Sequence, residues 1–132
     1  RNVRTELRKS KKFYFWDNGI RNAMIGNFSP LGTRSDSGIL WENFIVSERY
    51  KWIKSRRDLA FLHFWRTTLQ QEIDLVEERQ GVLSAFEMKF NPKQKAKFPQ
   101  TFLDNYQISE TGIVNRDNYY EFLYPELFKE NH

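Results

Sequence analysis

Between residues 37 and 54 the apolar side chains recur at helical spacing, and between 60 and 90 they alternate. That change of period is the strongest organising signal in the chain. Leu40, Trp41, Phe44, Ile45 and Tyr50 predict a helix over 37–54, with Glu42 and Glu48 within it. Lys54, Arg56 and Arg57 close it, where the helix dipole favours positive charge. Three strands are predicted next. Residues 60–66 are aromatic, with Phe61, His63 and Trp65 along one face. Residues 71–77 place Ile73 and Leu75 on one face and Glu72, Asp74 and Val76 on the other. Residues 82–90 set Phe86, Met88 and Phe90 against Ala85, Glu87 and Lys89. A short loop over 77–81 makes the last two strands a hairpin, so the three should be adjacent and antiparallel.

Upstream, residues 12–16 read as a short aromatic strand ended by the turn residues Asp17-Asn18-Gly19, followed by a helix to about residue 25 and a loop over 26–37. Downstream, the pattern predicts a helix over 99–106 carrying Phe102, Leu103 and Tyr106, then a strand over 112–115. Asp117 is placed to cap a last helix over 119–123. The order is helix, three strands, helix, strand. Residues 1–11 are basic and polar, lack an initiator methionine, and read as a connection from a missing N-terminal region. Residues 12–132 then form a single domain, with 12–36 an N-terminal strand and helix extension and 37–124 the core.

Composition narrows the chemistry. At 132 residues, with 39% hydrophobic and 17% aromatic side chains, the chain can bury a core and should fold. It has neither a long apolar run nor a signal-peptide pattern, which predicts a soluble, cytoplasmic protein without membrane contact. Homo-oligomerisation stays open. Cysteine is absent, and the two histidines are His63 and His132. Any metal must therefore be held mainly by carboxylate and backbone oxygen, which favours magnesium, manganese or calcium over zinc. The net charge of +4 permits an anionic partner such as DNA without requiring one. No G-x-x-x-x-G-K-[ST] loop is present, so ATP is not bound by this chain.

Asp74 in one strand and Glu87 and Lys89 in the next bring two carboxylates and an amine together. Burying such groups is costly unless they are paired or hold a cation. On this reading Asp74 and Glu87, joined by Glu42 from the preceding helix, hold magnesium or manganese, and Lys89 orients or deprotonates a water or stabilises developing negative charge. Asn43 and Gln71 lie beside these carboxylates and are candidates to orient them. Arg66, Lys93, Lys95 and Lys97, with Arg56 and Arg57, are candidates to track a phosphate backbone. Each has a plainer reading. Alternating Glu and Lys usually mark a solvated strand face, a charge run usually marks a wetted surface, and tryptophans at strand and helix spacing usually mark core. His63 fits a hydrogen-bonded core position.

A helical Glu42, a strand Asp74 and then Glu87-Met88-Lys89 resemble the PD-(D/E)XK endonuclease-like superfamily, though Ile73 stands where that motif has proline. The stretches Phe13-Tyr14-Phe15-Trp16-Asp17-Asn18-Gly19-Ile20-Arg21-Asn22, Leu40-Trp41-Glu42-Asn43-Phe44, Phe64-Trp65-Arg66-Thr67 and Glu72-Ile73-Asp74-Leu75 together resemble one narrower group, the uncharacterised C-terminal domain of predicted prokaryotic AAA+ ATPases. The resemblance spans residues 11–123. It implies an α/β fold with a restriction-endonuclease-like three-layer core (α-β-β-β-α-β), a mixed sheet flanked by helices, and an N-terminal ATPase module as partner. Two functions follow as expectations: magnesium-dependent phosphodiester hydrolysis on DNA, or a catalytically inactive module that binds DNA, another protein or the ATPase.

Overall fold

The computed structural model describes residues 6–9, 37–67 and 69–130. The strand expected over 12–16, the helix after it and the loop over 26–37 lie outside the described residues, save Ser37. The elements run β1 (Glu6–Lys9), α1 (Ser37–Ser55), β2 (Phe61–Arg66), β3 (Glu72–Arg79), β4 (Val82–Met88), α2 (Gln100–Asn105), β5 (Ile108–Val114), α3 (Tyr119–Leu123) and α4 (Pro125–Glu130). From α1 to α3 this is the expected succession. Glu6–Lys9, within the stretch read as a connection, pairs antiparallel with β2.

The five strands form one sheet in the order β1-β2-β3-β4-β5. The first four are antiparallel in succession, whereas β5 runs parallel to β4. A parallel neighbour requires a crossover, and the segment containing α2 supplies it. The sheet is therefore mixed, with helices flanking it. On one face α1 and α3 cover Leu75, Phe86, Met88 and Val114, packed with Trp41, Phe44, Ile45 and Leu123. On the other, Phe102 of α2 covers Trp65, Ile73, Val76, Leu83 and Ala85.

These two cores correct the strict alternation expected of β3. Ile73 belongs to the α2 side and Leu75 to the α1 side. The register explains why: His63 pairs with Val76 but Trp65 with Ile73, so Asp74 and Leu75 together oppose the single residue Phe64. This is a β-bulge, in which one extra residue reverses the facing of everything beyond it.

Other boundaries moved for local reasons. β3 extends to Arg79, leaving only Gln80-Gly81 as the turn, and both have positive φ (53° and 80°) as a type I′ hairpin requires. β4 stops at Met88, before Pro92. β5 starts at Ile108, four residues ahead of expectation, because the parallel ladder with β4 begins at Leu83↔Ile108. Asp117 does not cap α3. Asn118 occupies that position, and its amide instead donates to Ile113 O (2.8 Å) and accepts the Asn115 N–H (2.9 Å), building the turn that ends β5.

Candidate active site at the bulged end of β3 and β4

The β3–β4 ladder runs from Arg79↔Val82 to Leu75↔Phe86. At the next step two carboxylates take its place. The Asp74 N–H donates to Glu87 Oε2 at 3.0 Å, and the Met88 N–H donates to Asp74 Oδ2 at 2.9 Å. The β3–β4 register puts Asp74 at this position, because Leu75 pairs with Phe86 and the next step sets Asp74 opposite Glu87; what the bulge on the β2 side changes is Ile73, which it turns away from the face of Leu75.

On the far side of β4 the pairing continues. Met88 aligns with Val114, and the Lys89 N–H donates to Val114 O at 3.0 Å. The same carbonyl accepts Trp41 Nε1–H at 3.0 Å. Trp41 is 0% exposed and packs edge-on against Phe90 and Tyr119, with ring centroids 5.3 and 5.4 Å away. One indole therefore fixes the first turns of α1 over the ends of β4 and β5, and Glu42 is the next residue.

Electrostatics join Glu42, Asp74, Glu87 and Lys89. Burial pushes the Glu87 carboxyl up to about 7, and the Asp74 charge pushes the same way. The Asp74 N–H bond and the Lys89 ammonium oppose them, and the Glu42 charge adds a smaller upward push. Among the described residues no group of three or more His, Asp or Glu side chains is gathered closely enough to hold a metal ion. Asp74 and Glu87 are thus the joined pair, and Glu42 is felt through its charge.

The remaining expected residues divide. Asn43 is buried in α1. Gln71 sits in the β2–β3 turn, where its amide oxygen accepts from Thr67 Oγ1 at 3.4 Å and its backbone oxygen accepts the Thr67 N–H at 2.9 Å. Its bonds go to that turn and not to the carboxylates. Arg66 faces Glu72 at 3.6 Å and donates to Gln70, so its charge is met locally. Arg56 likewise pairs with Glu126. Lys93, Lys95 and Lys97 are exposed along the segment leading from β4 to α2. Trp41 and Trp65 are core as expected. His63 packs at the sheet with Nε2 2.7 Å from Glu78 Oε1.

Sequence reasoning missed an ion network beside this site. Glu77, 1% exposed beneath α1, accepts from Arg49 Nε (2.7 Å) and Nη2 (3.1 Å) and from Arg79 Nη1 (2.9 Å). Arg79 also grips Asp58, through Nη2 at 2.6 Å and Nε at 3.1 Å, which holds the Asp58 carboxyl below its ordinary range. Arg49 lies over the rings of Trp52 and Phe122, 4.5 and 4.1 Å from their centroids, and donates to Phe122 O. A charged residue on the same strand face as Leu75 was the available signal.

The family model of a domain of unknown function, DUF4143, matches residues 37–125. The chain belongs to this family. Among curated proteins and solved structures, nothing matches. The DUF4143 segment begins with α1 and ends at the first residue of α4, so it contains Glu42, Asp74, Glu87 and Lys89 with every element that positions them. No helix among the described residues is long and apolar enough to cross a membrane.

Proposed function

We propose that this domain performs divalent-metal-dependent phosphodiester hydrolysis on DNA, with the PD-(D/E)XK type of core and as the C-terminal part of an AAA+ ATPase. One observation carries the reading: two acids that repel each other are locked together at a sheet end, with a lysine two residues along. Glu87 rises to about 7 because Asp74 and Glu42 add their charges to the penalty of burial. A cation relieves that repulsion, and the donors are hard oxygens suited to magnesium or manganese, which can be held by one or two carboxylates while keeping several waters. Asp74 and Glu87 are the residues that would hold it. Bound there, the metal would polarise a phosphoryl oxygen and acidify a water.

The chain's own groups supply the rest. The Met88 and Asp74 N–H groups fix the orientation of the two carboxylates. Lys89, its backbone tied to β5, offers an ammonium as donor to a phosphate oxygen or to the oxygen of a water. Glu42 adds negative charge from the helix side. The network around Glu77 holds α1 on the sheet and thereby keeps Glu42 in place.

A non-catalytic regulatory module is the second reading, favoured by a specific feature. Each of the two carboxylates already has one oxygen committed to a backbone N–H, leaving fewer free lone pairs for a metal. Calorimetric titration with manganese separates the readings. Binding by wild type that is lost in Asp74→Ala, followed by metal-dependent DNA cleavage that is lost in Lys89→Ala, is the expected result. Folded wild type that takes no metal, or cleavage that survives Lys89→Ala, removes the hydrolase reading.

A further inference from the structure

The cleft beside the carboxylates has a chemistry of its own. Gln71 and Glu72 from the β2–β3 side, and Lys97, Phe98, Pro99 and Gln100 from the segment entering α2, enclose about 480 Å³, within the range of small-molecule sites. Glu72 is two residues from Asp74 along β3, roughly 7 Å at the strand rise. Ile73, between them, packs in the same core against which Phe98 rests. The cleft and the carboxylate pair therefore share one rigid support.

Its walls offer complementary groups. The Gln71 amide oxygen is turned to Thr67, which leaves its two N–H donors for a ligand. The Gln100 amide nitrogen donates to Asp104 at 2.8 Å, which leaves its oxygen as an acceptor. Lys97 is exposed, with no carboxylate partner among the described residues, and Phe98 adds a half-buried ring. Glu72, the acid of the lining, faces Arg66 at 3.6 Å, and beside it a donor, an acceptor, an aromatic ring and the Lys97 cation match the edge, face and phosphate of a nucleotide.

We propose that this cleft seats an unpaired nucleotide next to the bond that the carboxylate site cleaves. The proposal rests on the phosphodiesterase reading and adds a strand preference to it. A base inside an intact duplex cannot present its edge and face together, so the cleft selects single strands or unpaired ends over blunt duplex.

The test is fluorescence anisotropy with a labelled single-stranded oligonucleotide and with the matching blunt duplex, in calcium, for wild type and for the double variant Lys97→Ala/Gln100→Ala. Both positions border the cleft from outside the two cores, and circular dichroism checks the fold. Expected is single-strand binding about tenfold tighter than duplex binding, with that preference lost in the double variant; Phe98→Leu should weaken the single strand by about fivefold or more. Equal binding of both DNAs by wild type overturns the proposal, as does an undiminished preference in the variants. If magnesium-dependent cleavage persists in either case, the cleft assignment fails while the hydrolase reading stands. Wild type that neither binds nor cleaves either DNA sinks both.

Discussion

The Asp74 N–H points at the Glu87 carboxylate while the Asp74 carboxylate receives the N–H of Met88, so the two acids replace a rung of backbone ladder between β3 and β4. Each is both a strand-pairing element and a negative charge. Holding them together is therefore part of folding, and separating them electrostatically is not available to the native state.

The first prediction concerns pH. The folded Glu87 carboxyl sits near 7, above its ordinary 4.5, so the native state binds this proton more tightly than the unfolded chain. Its contribution to stability is fully present below about pH 4.5 and is lost as pH rises towards 7. Glu87→Gln keeps an acceptor for the Asp74 N–H and removes the charge. The variant should melt several degrees above wild type at pH 8 and no higher at pH 4.5. Melting curves that differ by the same amount at both pH values would contradict the electrostatic account.

A second prediction addresses the buried network. Glu77→Ala leaves Arg49, whose side chain is 11% exposed, without its carboxylate under α1. Loss of one partner of a buried pair costs about 3–5 kcal/mol. Urea denaturation should show that loss, and replacing Arg49 by Met in the same background should recover part of it. No recovery would mean that Arg49 is not left stranded.

Trp41→Phe removes the donor to Val114 O while keeping an aromatic ring in the core. We expect a loss of about 1–2 kcal/mol and, because Glu42 follows Trp41, weaker manganese binding than in wild type. Unchanged metal affinity in a destabilised variant would detach α1 from the site.

At the β3–β4 turn, both residues have positive φ. Gln80→Asn supplies the residue that such a turn prefers and should stabilise by a few tenths of a kcal/mol, whereas Gly81→Ala should cost about 1 kcal/mol or more. Chemical denaturation of the two variants checks the pair, and the opposite ordering would argue against this turn geometry.

Much of the core was legible because it rests on period. Trp41, Phe44 and Ile45 announced α1, and Phe86, Met88 and Phe90 share one face of the sheet or its extension, as alternation required. Asp74, Glu87 and Lys89 were placed together by order alone. What escaped were features set by pairing between distant segments. Nothing local to Ile108 shows that β4 will draw it into a parallel ladder, and nothing local to Glu77 names Arg49. The bulge left no local trace: Leu75 and Val76, consecutive apolar residues that face different cores, mark only a strand buried on both faces, whereas Ile73 and Val76 share a core three residues apart because of the extra residue between them. Asp117 looked like a cap by residue type, but Asn118 was held by Ile113 and Asn115.

The bulge also restricts how this strand can change. Between Asp74 and the Gln80-Gly81 turn, adding or deleting a single residue would turn the Ile73 half inside out relative to the Leu75 half. Chain length here is in effect counted in twos, and related sequences that keep both cores should differ in this stretch by an even number of residues or not at all.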